Sequence, residues 1–93
     1  MKVVWDPAKA KINFIKHGVR LSDADVALFD QFALTREDES SEGEQRFVTI
    51  GTDSSGKIVV VTFTPRGESV RLISSRKATK KERTQYEKGI RLQ

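Results

Sequence analysis

Apolar residues recur along this chain at a helical spacing near the N-terminus and in tight runs further on. Ala8, Ile12 and Ile15 fall on one helical stripe with Phe14 at its border, while Lys9, Lys11, Asn13 and Lys16 take the wetter side. Asp6 is the residue type that caps a helix, and Pro7 suits the first helical position, where its missing N–H costs nothing. Gly18 supplies a left-handed stop after His17. A second helix is predicted from an N-cap at Ser22, with Asp23 and Asp25 complementing the macrodipole and Val26, Leu28 and Phe29 as its apolar side.

The later pattern is that of strands. Residues 3–5 read as a short edge strand, 32–35 as another, and 36–45 as a charged loop with little to hold it down. Residues 46–52 form a strand, 53–56 a hairpin turn, and 58–63 an unbroken valine-rich run expected to be central and covered on both faces. Residues 65–67 turn the chain into a last strand over 70–75. Thr79 and Glu82 make a capping box that opens a final helix. Only Tyr86 and Ile90 interrupt its Lys80, Lys81, Arg83 and Lys88, which predicts loose docking. The sum is one domain over residues 1–93 of α+β class: two N-terminal helices, a twisted and mostly antiparallel sheet, and one C-terminal helix.

Composition narrows the classes. A chain of 93 residues has room for one modest core, and 37% hydrophobic against 32% charged residues is a globular balance. There is no cysteine and a single histidine, so thiolate and multi-histidine metal sites are excluded within the chain, and no cofactor is expected. No apolar run approaches the ~20 residues of a membrane span. The N-terminus lacks a signal-peptide pattern, which sets a cytoplasmic location as the expectation.

The net charge is +4, but its distribution says more. Across residues 22–44, Asp23, Asp25, Asp30, Glu37, Asp38, Glu39, Glu42 and Glu44 stand against Arg36 alone. Across residues 57–93, ten bases face only Glu68, Glu82 and Glu87. A basic half suits a nucleic acid, and an acidic middle leaves room for a different partner.

Arg66, Arg71 and Arg76 are set along KIVVVTFTPRGESVRLISSR, on the stiffest part of the chain. Guanidinium matches phosphate or carboxylate oxygens two at a time, so these residues hold either phosphate or an acidic protein segment. Strict alternation puts Arg71 with Ile73, and Arg76 with Val70 and Leu72. The two converge only if the strand twists, bulges or ends before Arg76. The alternative role for any of the three is pairing with Glu42, Glu44 or Glu68. His17 is the one side chain with a reference pKa near neutrality, open to acid–base work or to capping its own helix. Lys9 on that helix either reaches a phosphate or is solvated. Arg46, Lys77, Lys80, Lys81 and Arg83 are candidate phosphate contacts, with a surface ion pair or a solvated face as the alternative. Tyr86 either stacks a base or anchors the last helix.

Three separated stretches, VVWDPAKAKINFIKHGV, SEGEQRFVTIG and TPRGESVRLISSRKATKKERTQYE, resemble the BrnT family of toxins from type II toxin–antitoxin pairs, over about residues 3–88. Gln31 departs from the proline that often follows the Phe-Asp pair, and Phe63 from a common tyrosine. The resemblance implies a fold similar to the RelE-type ribonucleases. It implies a metal-independent endoribonuclease that cuts mRNA, free or on the ribosome, and so halts translation. It also implies a cognate ribbon–helix–helix antitoxin similar to BrnA, through which alone the toxin meets operator DNA. A non-catalytic RNA- or ribosome-binding module is the alternative function. Cutting RNA without metal turns the substrate's 2′-hydroxyl on the adjacent phosphate. In such a reaction Arg66, Arg71 and Arg76 would take the phosphorane charge, and His17 would be the acid–base candidate.

Overall fold

The computed structural model describes residues 1–91. The valine run becomes the middle of a five-stranded sheet of order β1-β5-β4-β3-β2. The strands are β1 (Lys2–Val4), β2 (Leu34–Glu37), β3 (Phe47–Thr52), β4 (Ile58–Arg66) and β5 (Ser69–Lys77). Every neighbouring pair is antiparallel except β1 and β5, which run parallel. The helices are α1 (Pro7–His17), α2 (Leu21–Ala24) and α3 (Lys80–Arg91), with a 3-10 helix over Asp25–Phe29. The fold class is α+β, as the sequence predicts. No helix among the described residues is long and apolar enough to cross a membrane.

One face of the sheet carries the core. Val19, Leu21, Ala24 and Ala27 close over Val59, Val61 and Leu72, all at most 2% exposed. The approach is tight because the facing residues are small: a Cβ on Gly51 would lie 2.6 Å from the Ala27 carbonyl oxygen. Val60, on the other face, is buried as well, so the central strand is covered on both sides as expected.

Helix α1 starts at the Asp6 cap, whose carboxylate accepts the Ala8 N–H at 2.8 Å, and stops at left-handed Gly18. Its buried face, however, is not the apolar stripe. Ile12 and Ile15 are 63% and 76% exposed, while Asn13 is 6% exposed. The reason lies at the edge of β5. Strand β1 pairs only with Ser69, Val70 and Arg71, leaving the rest of that edge without a neighbour. Asn13 fills the gap. Its Nδ2 donates to the carbonyls of Ser75 at 2.9 Å and Val19 at 3.0 Å, and its Oδ1 accepts the Ser75 N–H at 3.0 Å. One amide side chain thus stands in for a missing strand.

The second helix also differs. It begins at Leu21 with no side-chain cap, and tightens after Ala24. Ser22 is not its N-cap. Asp23 is held by the β3–β4 hairpin instead: its carboxylate and carbonyl accept the Ser54 hydroxyl at 2.8 Å and the Ser54 N–H at 3.1 Å. The strand expected over 32–35 starts later, because Asp30 accepts the Phe32 N–H at 2.9 Å and turns the chain there.

Helix α3 opens on the predicted box: the Thr79 N–H donates to Glu82 at 2.8 Å, and the Glu82 N–H donates to the Thr79 hydroxyl at 3.2 Å. Tyr86 is its one buried side chain among the described residues.

Candidate functional site

The pairing register decides what the second face holds. Leu34 on β2 pairs with Ile50 on β3, Ile50 with Val60 on β4, and Val60 with Arg76 on β5. One row along, Arg36, Val48, Thr62 and Ser74 are partners, and further on Arg71 pairs with Thr64 and Ser69 with Arg66. Paired residues share a face, so Arg36, Arg66, Arg71 and Arg76 all lie on the side away from α1 and α2.

The conflict in alternation between Arg71 and Arg76 is resolved by a bulge. Phe63 pairs with Leu72 and Thr62 with Ser74, which leaves Ile73 without a partner. The extra residue resets the alternation, so an odd spacing of five still puts both arginines on one face. Without it one of them would point into the valine core.

The three arginines are not in the same state. Arg76 is clamped by Glu82, Nη1 to Oε1 at 2.8 Å and Nη2 to Oε2 at 2.9 Å. These bonds outweigh the burial of Glu82 and, with the Thr79 N–H, hold its carboxyl at about 2. Arg66 reaches Glu44 at 3.4 Å, and Arg46 reaches the other oxygen of the same carboxylate at 3.3 Å. Those contacts are long and half-exposed, so they hold little energy and yield to a stronger anion. Arg71 has no hydrogen-bond or ion-pair partner among the described residues. A half-buried guanidinium without a partner among the described residues, on a face with three others, has its donors free to hold an anion.

The remaining candidates divide. His17 and Lys9 line a shallow groove of about 210 Å³ between α1 and β5, with Ile12, Asn13, Lys16, Ile73 and Ser74. That groove meets the arginine face at Ser74. Lys77 pairs with Val59 and therefore alternates to the helix-covered side, away from Arg71 and Arg76. Lys80, Lys81 and Lys88 share the outer surface of α3. Arg83 donates to the Ala78 carbonyl at 3.0 Å.

Tyr86 is corrected: it is 4% exposed and its ring is not presented to a base. Its hydroxyl donates to the Asp30 carboxylate and lies 3.0 Å from the Thr52 hydroxyl. Burial works to raise the Asp30 pKa, but hydrogen bonds from Tyr86, Phe32 and Thr52 hold it below its ordinary value. Tyr86 and Asp30 pin α3 to the sheet.

Two residues of this face escaped sequence reasoning. Arg36 stands in the β2 strand rather than in the charged loop, and alternation from Leu34 was the available signal. Gln85 gave none.

A family model described as the ribonuclease toxin BrnT of type II toxin–antitoxin systems matches residues 5–82. The crystal structure of the Brucella abortus ribonuclease toxin BrnT superposes with a TM-score of 0.65 at 28% identity, over 86% of this chain and 99% of that one. No curated protein matches. The family match spans most of the chain, and the solved toxin shares its fold. The chain therefore belongs to the BrnT family, the ribonuclease toxins of type II toxin–antitoxin systems.

Proposed function

We propose that the arginine face binds mRNA and cuts it without metal. The 2′-oxygen bonds to the adjacent phosphorus and the bond to the 5′-oxygen breaks, leaving a 2′,3′-cyclic phosphate and a 5′-hydroxyl. Arg71 takes the charge that builds on the phosphorane, where a positioned donor contributes most. Arg66 and Arg76 flank it. Arg66 turns from Glu44 to the backbone, and Arg76 presents whatever donor Glu82 leaves it. His17 is assigned the proton of the 2′-hydroxyl, water supplies the proton taken up by the leaving 5′-oxygen, and Lys9 is assigned a neighbouring phosphate, since the groove of His17 and Lys9 runs to Ser74 beside these arginines. Arg46, Lys77, Lys80, Lys81 and Arg83 supply phosphate contacts away from the cut.

The single observation that carries this reading is the unpartnered Arg71 guanidinium between its two paired neighbours. A toxin of this kind acts with a cognate antitoxin. We assign that partner to the ribbon–helix–helix class, with operator DNA reached only through it and mRNA in the cytoplasm as the target. The neighbouring reading frame tests the partner.

The reaction is tested by incubating purified protein with mRNA in EDTA and mapping the ends. Cyclic phosphate termini are expected. RNA that is bound but intact would instead make the chain a blocking module.

A further inference from the structure

A pocket of about 400 Å³ opens on the arginine face where α3 passes over β2 and β3. That volume lies in the ~300–1,000 Å³ range of small-ligand sites. Leu34, Val48 and Ile50 form its apolar floor, and Arg36, Glu82 and Gln85 its rim. Apart from Glu82, which holds Arg76, none of these residues serves the phosphate in the reading above.

Three features point to the ligand. The floor residues come from two neighbouring strands on one side of the sheet, a surface that suits the face of a planar ring. The Gln85 amide has no protein partner among the described residues and offers a donor beside an acceptor. The Arg36 guanidinium is likewise unpartnered there, and this group stacks on bases of single-stranded RNA. Position supplies the link to the reaction. The row Leu34, Ile50, Val60, Arg76 runs from the pocket floor to a phosphate-holding arginine, two strand spacings or about 10 Å from β3 to β5.

We propose that this pocket receives one nucleobase of the RNA strand held by Arg71 and Arg76, and so sets the base preference at the cut. The ring lies on Leu34, Val48 and Ile50 beneath Arg36, and Gln85 reads its edge. The proposal rests on RNA cleavage at this face, and its failure is separable from failure of that reading.

The test has two arms. In the first, a randomised RNA is cut by wild type, Gln85→Ala and Arg36→Ala, and the bases flanking each new end are counted. In the second, nucleoside 3′-monophosphates are titrated into methyl-labelled wild type. The wild type favours one base beside the cut, and Gln85→Ala lowers that preference by about tenfold. The methyls of Leu34, Val48 and Ile50 shift, while those of Val59 and Val61 on the opposite face stay still. A wild type indifferent to base, a preference unchanged in Gln85→Ala, or silent pocket methyls would each overturn the proposal. Pocket shifts with no RNA cut would retire the cleavage reading and keep the base site. Cleavage with silent methyls would retire the pocket alone.

Discussion

The two faces of the sheet are built from the same strands and obey different rules. On the helix-covered face, Val59, Val61 and Leu72 meet Val19, Leu21, Ala24 and Ala27 with almost no exposed surface. On the open face a short apolar row of Leu34, Val48, Ile50 and Val60 lies beside Thr62, Thr64, Ser69, Ser74 and the arginines Arg36, Arg66, Arg71 and Arg76, half-covered by a helix that buries one side chain among the described residues. Packing dictates the first face; on the second, Val60 and Tyr86 are buried but the arginines are not needed to fill space. An unpartnered Arg71 gains nothing for folding, so its presence asks for a ligand. The Ile73 bulge separates the two tasks, sending Leu72 and Ser75 to the core side and Arg71 and Arg76 to the open side.

That division is sharpest at Arg71. Arg71→Ala should lower RNA cleavage by about 10²–10³ with a melting temperature near wild type, checked by a cleavage time course beside a thermal melt. The covered face should behave in reverse. Leu21→Ala should cost about 3 kcal/mol of stability, measured by urea unfolding, with cleavage per folded molecule unchanged. Asn13 probes the exception, a polar group inside the packed layer. Asn13→Leu should cost on the order of 2–3 kcal/mol, because it strands the Ser75 N–H and carbonyl. A stable Asn13→Leu would mean that the strand edge does not need the amide.

Glu82 sits on the boundary between the two roles. Its carboxyl titrates at about 2 in the fold against an ordinary 4.5, so its stabilisation is complete above pH 4.5 and fades as pH falls toward 2. The half-exposed Arg76 limits this to about 1 kcal/mol. In Glu82→Gln, unfolding free energy measured across that window should lose this part of its acid slope. The smallest effect belongs to the outer surface of α3. Lys81→Ala should weaken RNA binding by less than about threefold and reduce the salt slope by about 0.7 or less, read from titrations at several salt concentrations.

Much of the fold was legible because local signals agreed: the Asp6–Pro7 start, the Gly18 stop, the valine run and the Thr79–Glu82 box all stand. The errors arose where a distant partner overrode local pattern. The α1 stripe looked like a buried face because apolar spacing was the only available cue, and the need for an amide came from an unpaired strand edge 62 positions away. Tyr86 could not be placed until Asp30 and Thr52 were seen beside it. The arginines were legible as residue types, but their shared face depended on a bulge that no spacing rule reveals. Gln85 became visible only through the position of α3, whereas Arg36 was within reach of alternation from Leu34 once β2 was carried past residue 35.

The most direct measurement follows the arginine Nε–H signals of the labelled protein as a non-cleavable 2′-O-methyl RNA is added. The account predicts that Arg71, Arg76 and Arg66 shift together and saturably, while the methyls of Val59, Val61 and Leu72 stay still. Saturable binding that moves the methyls of the helix-covered side and leaves Arg71 unchanged would contradict it.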